Sequence, residues 1–303
     1  MPTRRSEFLS PSSLIIGASL LFALMGICVK LASAQYGSGE IVMYRGVIGA
    51  LMIGAVSRWR GDSLRTKLPA QHVLRGFTGV VALCLWFYAL GELQLATAMT
   101  LNYTSSLWLA LFLLGGVGLL RRRAGDQVLA VVAMVGFVGV VLVLRPTVEQ
   151  NQLGYGVAGL LSGMVSATGY LQVAALARAG EPESRIVFYF SVASIVGGAA
   201  LGAFTGWHGH SWSSVVWLLG VGVLSTIAQL MLTRAYARGR TLVNASLQYL
   251  GIAFSFVLGV LLFDERVTWM AAIGMALIVG AGVRATALRA SPEASAKLAP
   301  DKR

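Results

Sequence analysis

Residues 95–108 read LATAMTLNYTSSLW, and residues 242–255, 147 positions further along the chain, read LVNASLQYLGIAFS. Each stretch opens an apolar span and carries a stripe of mostly polar or small residues. The stripes run through Thr97, Thr100, Thr104 and Trp108 in the first stretch, and through Asn244, Gln248, Gly251 and Ser255 in the second. Steps of three and four residues keep side chains on one face of an α-helix. The two stretches therefore predict a pair of related helices with polar faces.

The similarity extends outward from these stretches, although few residues are identical. A shift of 145 places Val42, Met43 and Tyr44 over Val187, Phe188 and Tyr189. Each related half holds five apolar spans, and because five is an odd number the halves must cross a membrane in opposite directions. Inverted repeats of this kind are a transporter architecture, with the substrate site between the halves near the bilayer midplane.

The whole chain is apolar enough to be a membrane protein. Hydrophobic residues make up 56% of its 303 residues and charged residues only 12%, about half the charged share of a globular protein. A membrane-spanning helix needs about 20 mostly apolar residues. Ten such spans can be drawn, at residues 13–34, 38–57, 72–91, 96–120, 127–144, 153–177, 186–205, 213–233, 243–262 and 268–287. We therefore predict an all-α polytopic membrane protein with ten transmembrane helices in two inverted five-helix repeats.

Basic residues alternate between the connections of these spans. One set of loops and the two ends hold 19 of the 24 lysines and arginines, whereas the opposite loops hold only Arg145 and Arg266. Positively charged loops stay in the cytoplasm, so both termini are predicted to be cytoplasmic. The net charge of +12 then reflects membrane topology, and it does not form the basic patch that a nucleic-acid-binding protein needs.

This topology divides the chain into four parts. A cytoplasmic N-terminal segment (1–12) precedes the first five-helix repeat (13–147), which is followed by the second repeat (148–288) and a cytoplasmic tail (289–303). The two cysteines, Cys28 and Cys84, fall inside spans and predict neither a disulfide framework nor a metal site.

The matched polar stripes have two interpretations. They could line a central polar cavity, or they could bond neighbouring helices together, as Ser, Thr and Asn do in membranes. Their matched positions in the two halves favour the cavity, and aromatic residues nearby could form its walls. The predicted substrate-binding residues are Tyr44, Trp86, Thr97, Asn102, Tyr103, Trp108, Tyr189, Gln248 and Tyr249. Aromatic walls with amide and hydroxyl groups would suit an amino acid.

Only two cations, Lys30 and Arg45, are predicted to lie clearly inside the spans, both toward the outer side. Charges inside a membrane are costly and usually face a partner or a water-filled cavity. One interpretation is that Lys30 or Arg45 contacts a substrate carboxylate or gates the outer mouth. The other is that they extend to the interface or pair with Glu40. No Asp, Glu or His is predicted at the midplane, so transport is either uncoupled or coupled through Lys30, Glu40 or another group that the sequence does not identify.

The chain lacks the motifs of the main enzyme classes. It has no phosphate-binding Gly-rich loop with its Lys, and its acids and histidines are scattered rather than arranged as a catalytic set or metal cluster. The sequence therefore predicts no enzyme, no cofactor and no metal. Three hypotheses remain: an amino-acid exporter, a drug or lipid exporter on the same fold, and, remotely, an intramembrane enzyme acting on lipid or isoprenoid.

Three segments resemble a known family. Tyr44-Arg45, the run from Phe87 to Ser105, and Asp264-Glu265 are similar to the drug/metabolite transporter superfamily, in particular to bacterial EamA-type exporters. The resemblance implies a multi-pass protein of the bacterial inner membrane with ten helices, a central cavity and alternating access. It implies export of amino acids and related small metabolites by a monomer, without nucleic acid, and the aromatic residues favour substrates with aromatic or other large apolar side chains. A weaker similarity is to aromatic amino-acid exporters.

Overall fold

The computed structural model describes residues 10–118, 131–132, 134–143, 151–239, 244 and 247–290. Most of the predicted end segments 1–12 and 289–303 lies outside this part of the chain. All regular structure in the described residues is helical. The helices are α1 (Pro11–Ala32), α2 (Ser38–Arg60), α3 (Pro69–Glu92), α4 (Leu95–Tyr103), α5 (Ser105–Gly118), α6 (Met134–Val143), α7 (Leu153–Arg178), α8 (Glu183–Thr205), α9 (Trp212–Arg238), α10 (Leu250–Phe263) and α11 (Trp269–Ala290).

Six of the described helices, namely α1, α2, α3, α7, α8 and α9, are long and apolar enough to cross a membrane. The shortest of them has 22 residues, or about 33 Å at 1.5 Å per residue, which exceeds a hydrocarbon core of about 30 Å. Shorter apolar helices, among them α6 and α10, accompany them. The all-α membrane class predicted from the sequence is confirmed, whereas the count of ten spans and their inverted arrangement stay predictions.

The fourth predicted span, at residues 96–120, is two helices rather than one. α4 ends at Tyr103 and α5 begins at Ser105, while Thr104 between them keeps helical dihedral angles (φ −58°, ψ −13°). The Thr104 hydroxyl donates to the Leu101 carbonyl at 2.6 Å. A hydroxyl that bonds back to the preceding turn competes with the backbone ladder and bends a helix, which the apolar pattern of the span could not reveal.

The long helices pack in matched pairs. The most extensive contact is between α2 and α8, followed by α1 with α9 and by α3 with α7. In the predicted repeat, α1, α2 and α3 correspond to α7, α8 and α9. Under this correspondence α2 packs against its own counterpart, α8. Replacing each helix of the α1–α9 contact by its counterpart gives the α7–α3 contact, which is also present. Two related halves would give this pattern.

Glycines bring α2 and α8 together at backbone distance. A Cβ built on Gly198 would lie 2.5 Å from the Met43 amide nitrogen, and one on Gly46 would lie 2.6 Å from the Ser191 carbonyl oxygen. Small residues allow membrane helices to approach this closely and gain van der Waals contact. The two counterpart helices therefore form a tight central contact.

The buried apolar residues form two main clusters along α1. The larger cluster joins the C-terminal half of α1, including Met25 and Val29, to the end of α3 and to α4. The second joins the N-terminal part of α1, including Leu14 and Ile15, to α7, α8 and α9. Phe22, halfway along α1, packs against both. The site described next lies where the clusters meet.

Candidate functional site

A cavity lies between the two sets of helices at the level of Phe22. Its walls come from α1, α3 and α4 on one side and from α7, α8 and α9 on the other. It has a volume of about 60 Å³, which is room for a few water molecules. The residues that line it are Phe22, Arg75, Gly79, Ala82, Leu83, Trp86, Asn102, Tyr103, Ser166, Gly169, Tyr170, Phe190, Gln229 and Leu232. The described conformation therefore holds a small cavity with aromatic walls and a few polar groups.

Three of the predicted binding residues line this cavity. Trp86 is 6% exposed and meets Phe22 edge to face, with ring centroids 6.2 Å apart. The Asn102 side-chain amide donates to the Ser162 hydroxyl at 2.9 Å, and this bond ties α4 to α7. Tyr103 is buried beside them. Asn102 and Tyr103 thus bring the end of α4 to the cavity, whereas the stripe residues Thr97, Thr100, Thr104 and Trp108 are not among its lining.

Three further predicted residues are buried outside the cavity walls. Thr97 lies on α4 among the buried residues, and Tyr249 belongs to the larger apolar cluster. Gln248 donates to the Tyr236 hydroxyl at 3.4 Å, and the Tyr236 ring stacks on Tyr170 at 5.1 Å. Tyr170 lines the cavity, and its side chain also bonds Gln248, so Gln248 lies directly behind the cavity wall.

The last three predicted aromatic residues lie in other contacts. The Tyr44 hydroxyl bonds His210 Nε2 at 2.7 Å, in the connection between α8 and α9. Trp108 packs edge to face on Phe137 of α6 at 5.0 Å, and Tyr189 lies over the His72 ring at 4.6 Å. The structure does not bring these side chains to the cavity, so their substrate contacts stay predictions. The sequence gives residue type but not the face of the helix that meets the cavity.

The charged residue of the cavity is Arg75, and the statement that only Lys30 and Arg45 lie inside the spans was wrong. Arg75 is 5% exposed, and its guanidinium carbon lies 4.2 Å from the centroid of the Phe190 ring. It follows the start of α3 at Pro69 by six residues, or about 9 Å of helix. The span drawn from residue 72 placed Arg75 at an end, where basic residues are expected. A start at Pro69, a favoured first helical residue, would have revealed it.

Arg45 lies against the same ring, outside the cavity wall. It is 3% exposed, its guanidinium carbon lies 4.8 Å from the Phe190 centroid, and its Nη1 donates to the Ser194 hydroxyl at 3.3 Å. Two guanidinium groups therefore contact one aromatic ring, which attracts cations through its quadrupole. Arg45 is thus buried within α2, and its role as a gate or carboxylate contact stays a prediction.

Lys30 is held in an ion pair that the sequence did not identify. Its Nζ lies 3.1 Å from Glu265 Oε1 and donates to the Leu93 carbonyl at 2.6 Å. Both carboxylate oxygens of Glu265 accept the Leu95 amide, at 2.8 and 2.9 Å, where a carboxylate complements the N-terminus of α4. The alternative that Lys30 pairs with Glu40 was wrong. We call the group Lys30, Leu93, Leu95 and Glu265 the α1–α10 latch.

Glu40 instead joins α2 to the connection between α8 and α9. It accepts the His208 amide at 2.9 Å and pairs with His208 Nδ1 at 2.7 Å. Gln35 of the α1–α2 turn donates to the Gly209 carbonyl in the same connection. Together with the Tyr44–His210 bond, these contacts lay the α8–α9 connection over the start of α2.

A second buried carboxylate lies in the connection between α7 and α8. Glu181 accepts the Thr66 hydroxyl at 2.9 Å and Arg185 Nη1 at 3.1 Å, and it pairs with His72 Nε2 at 3.2 Å. Burial disfavours the charged carboxylate, but these bonds outweigh burial and hold the pKa of Glu181 below its usual value. The cluster joins the α2–α3 connection, α3 and α8.

Three polar residues of the second half, Ser166, Tyr170 and Gln229, line the cavity and were missed from the sequence. Gln229 of α9 is 7% exposed, and Tyr170 of α7 stacks on Tyr236. Gln229 is the only Asn or Gln between Trp212 and Arg238. An amide inside a predicted span could have identified it, because polar groups inside membrane spans are costly and commonly functional.

The fold and the cavity define a polytopic membrane transporter, and comparison with known proteins gives its family. Residues 9–145 and 154–283 each match the EamA-like transporter family. The chain belongs to the EamA-like transporter family. It is a multi-pass protein of the bacterial inner membrane, and it is a transporter rather than an enzyme.

Individual relatives carry different names. A pseudopaline exporter, CntI, of Pseudomonas aeruginosa (strain UCBPP-PA14) is 31% identical over 276 residues, which cover 88% of this chain and 92% of the relative. A riboflavin transporter of Vibrio cholerae serotype O1 is 28% identical over 233 residues, or 74% of each chain. A crystal structure with 20% sequence identity superposes with a TM-score of 0.64 over 92% of this chain and 98% of the other, which supports the fold alone.

Proposed function

We propose that this transporter exports amino acids and related small metabolites by alternating access through the central cavity. The observation that carries the proposal is the composition of the cavity wall, to which both sets of long helices contribute. In an inverted-repeat transporter the substrate site lies between the repeats near the midplane. The cavity at Phe22, halfway along α1, lies between helices of the two proposed repeats, which supports this assignment.

The proposal includes ten spans in two inverted repeats, at residues 13–147 and 148–288, with both termini in the cytoplasm. The matched packing of α1 with α9 and of α3 with α7 supports it. So does the family match, because the two matched stretches fall on either side of the proposed boundary. Motion of α1 between the two apolar clusters would open the cavity to one side of the membrane at a time.

The proposed substrates are amino acids, with aromatic or other large apolar side chains favoured. Phe22, Trp86, Tyr103 and Phe190 give the cavity aromatic walls, and Asn102 supplies an amide. The proposed gate on one side is the α1–α10 latch. Because 60 Å³ is less than an amino acid needs, we expect substrate binding to require outward movement of the walls. We further propose that the protein acts as a monomer.

A drug or lipid exporter is the second candidate, and a groove between α3 and α8 favours it. The groove has a volume of about 380 Å³ and apolar walls that include Val73, Phe77, Val192 and Val196. Val73 and Phe77 are 70% and 68% exposed. A lipid or lipophilic drug would follow such an open surface, whereas an amino acid needs the closed cavity.

Flux measurement separates the two candidates. The purified protein is reconstituted in liposomes, and uptake of radiolabelled phenylalanine, leucine and glutamate is compared with translocation of a fluorescent phospholipid. We expect saturable phenylalanine flux that Trp86→Ala reduces, while Phe77→Ala on the groove leaves it unchanged. Lipid translocation without flux of any amino acid would overturn the amino-acid proposal in favour of the second candidate.

A further inference from the structure

We propose that the cavity binds its substrate through a carboxylate, which Arg75 contacts directly while Arg45, which contacts the same Phe190 ring, adds a second positive charge. The inference rests on the proposed function, since it names the chemistry of the group that this cavity accepts. It assigns the direct contact to a residue that the sequence did not single out.

Two glycines and the Phe190 ring position the guanidinium of Arg75 at the cavity wall. Gly79, one turn along α3, leaves the space that the guanidinium and the Phe190 ring share, because a Cβ at Gly79 would lie 2.5 Å from a Phe190 ring carbon. On the opposite wall, Gly169 of α7 keeps a side chain out of the approach to Arg75, whose Nη1 would lie 3.6 Å from a Cβ there. The guanidinium therefore lies at the cavity wall, with Gly79 and the Phe190 ring on one side and Gly169 on the other.

Arg75 has no carboxylate partner among the described residues. Its Nε is buried without a hydrogen-bond partner, and the same holds for Nε of Arg45. The buried acids of the described chain are engaged elsewhere, Glu40 with His208, Glu181 with His72 and Arg185, and Glu265 with Lys30. The two arginines therefore place positive charge beside the cavity that no described acid neutralises.

A purely structural role explains less of this arrangement. A contact with the face of Phe190 attracts each guanidinium, but it offsets only part of the cost of burying a charge in a membrane protein. An uncharged side chain at position 75 could pack between the helices without the free-energy cost of burying a charge. A substrate carboxylate supplies the missing counter-charge, and a planar guanidinium binds it with two parallel hydrogen bonds.

The remaining lining groups define the rest of the ligand. Ser166, Tyr170 and Gln229 offer hydroxyl and amide groups that could bond an amine or a hydroxyl of the substrate. Trp86 and Phe22 offer apolar area for its side chain. The ligand class is therefore a small carboxylate with an apolar or aromatic body, and cationic compounds should be excluded by the two arginines.

The test measures binding of matched acid and amide pairs to the purified full-length protein at pH 7 and constant ionic strength. The probes are benzoate with benzamide, and phenylalanine with phenylalaninamide, and the readout is thermal stabilisation. In the wild type we expect each acid to bind at least ten-fold more tightly than its amide. Arg75→Gln should abolish the preference, Arg75→Lys should retain part of it, and Arg45→Gln should reduce it less than Arg75→Gln does.

Arg58→Gln is the matched control, since it makes the same change at an exposed arginine at the end of α2. This variant should keep the full preference for each acid over its amide. Equal binding of acid and amide by the wild type, no binding by either acid, or an unchanged preference in folded Arg75→Gln would each overturn the inference. Saturable flux without carboxylate preference would leave the exporter proposal standing, whereas absence of flux for every compound would refute that proposal itself.

Discussion

Gly79 is the residue on which the shape of the charged site depends most directly. Its missing side chain admits the Phe190 ring and the Arg75 guanidinium, so Gly79→Ala should displace both. Overpacking of this kind costs about 1–3 kcal/mol, and we expect a lower melting temperature together with at least ten-fold weaker substrate binding. Gly54→Ala on α2 is the control, since its Cβ would meet only Phe188, at 4.0 Å. A Gly79→Ala variant as stable and active as Gly54→Ala would contradict this geometry.

Glu181 gives the fold a defined pH dependence. Because its pKa in the folded protein lies below the usual value, its stabilising contribution is present above the unfolded pKa of about 4.3 and is lost as pH falls through the folded pKa. At pH 7, Glu181→Gln should destabilise the protein by about 1–3 kcal/mol, because it removes charge-assisted bonds from Thr66 and Arg185. The melting temperatures of variant and wild type should converge as pH falls from 5 toward 3.

Asp62→Asn controls for the general effect of removing an acid, since Asp62 is exposed in the α2–α3 connection, and it should leave the pH dependence unchanged. A difference between Glu181→Gln and wild type that stayed constant down to pH 3 would show that the carboxylate charge is not the stabilising feature.

The neighbours of a single residue could be predicted from the sequence only where helical periodicity indicated which face of a helix it lies on. Asn102 and Tyr103 lie beside the polar stripe of span 4 rather than on it, and Trp86 lies on span 3, so periodicity alone did not group them. The structure brings all three to one cavity. Lys30 was correctly expected to need a partner or a cavity, but Glu265 lies 235 positions away (265 − 30), and local pattern carries no information at that separation. Arg75 was missed because a three-residue error in a helix start moved it from inside a span to its end.

At the scale of helices, the α1–α10 latch connects α1, the start of α4 and the connection that follows α10. The ion pair between Lys30 and Glu265 is its centre. The Lys30 side chain is 20% exposed and that of Glu265 only 6%, so the pair is largely shielded from solvent. Both Leu93 and Leu95 contribute backbone groups to it. Separation of α1 from the start of α4 would require these bonds to break, as the proposed gating motion needs.

A double-mutant cycle of Lys30→Met and Glu265→Gln measures this latch. We expect a coupling of about 0.5–3 kcal/mol in thermal or chemical unfolding, the range for residues in direct contact. Lys67→Met with Glu265→Gln is the control cycle and should be additive, because Lys67 is exposed in the α2–α3 connection. If the effects of Lys30→Met and Glu265→Gln on unfolding were additive, the ion pair would not stabilise the contact between α1 and the residues after α10.

Helix identity was easier to predict than helix continuity. Long apolar stretches located α1, α2, α3, α7, α8 and α9 to within a few residues, because a bilayer imposes a minimum length on an apolar helix. The division of the fourth span at Thr104 was not predicted, since it depends on a hydroxyl that bonds the preceding turn and leaves hydropathy unchanged. Helix faces were the least predictable, as Trp108 and Tyr189 illustrate, because they depend on which neighbours pack on each side.

At the scale of the molecule, the proposed alternating access requires that each side of the membrane reaches the same cavity in turn. The packing of α2 with α8, of α1 with α9 and of α3 with α7 is what the proposed inverted repeats would give, and alternating access uses such repeats. Ala82 lines the cavity and is 5% exposed, so a thiol at this position would report on access. The native Cys28 and Cys84 are first replaced by alanine.

The most direct measurement is therefore the reaction of Ala82→Cys in liposomes with a membrane-impermeant thiol reagent added from either side, with and without phenylalanine. We predict modification from both sides and slower modification when phenylalanine is present. Leu51→Cys, 67% exposed on α2 and facing lipid, should resist the reagent from both sides. Modification from one side only, or from neither, in a protein that still transports would contradict alternating access through this cavity.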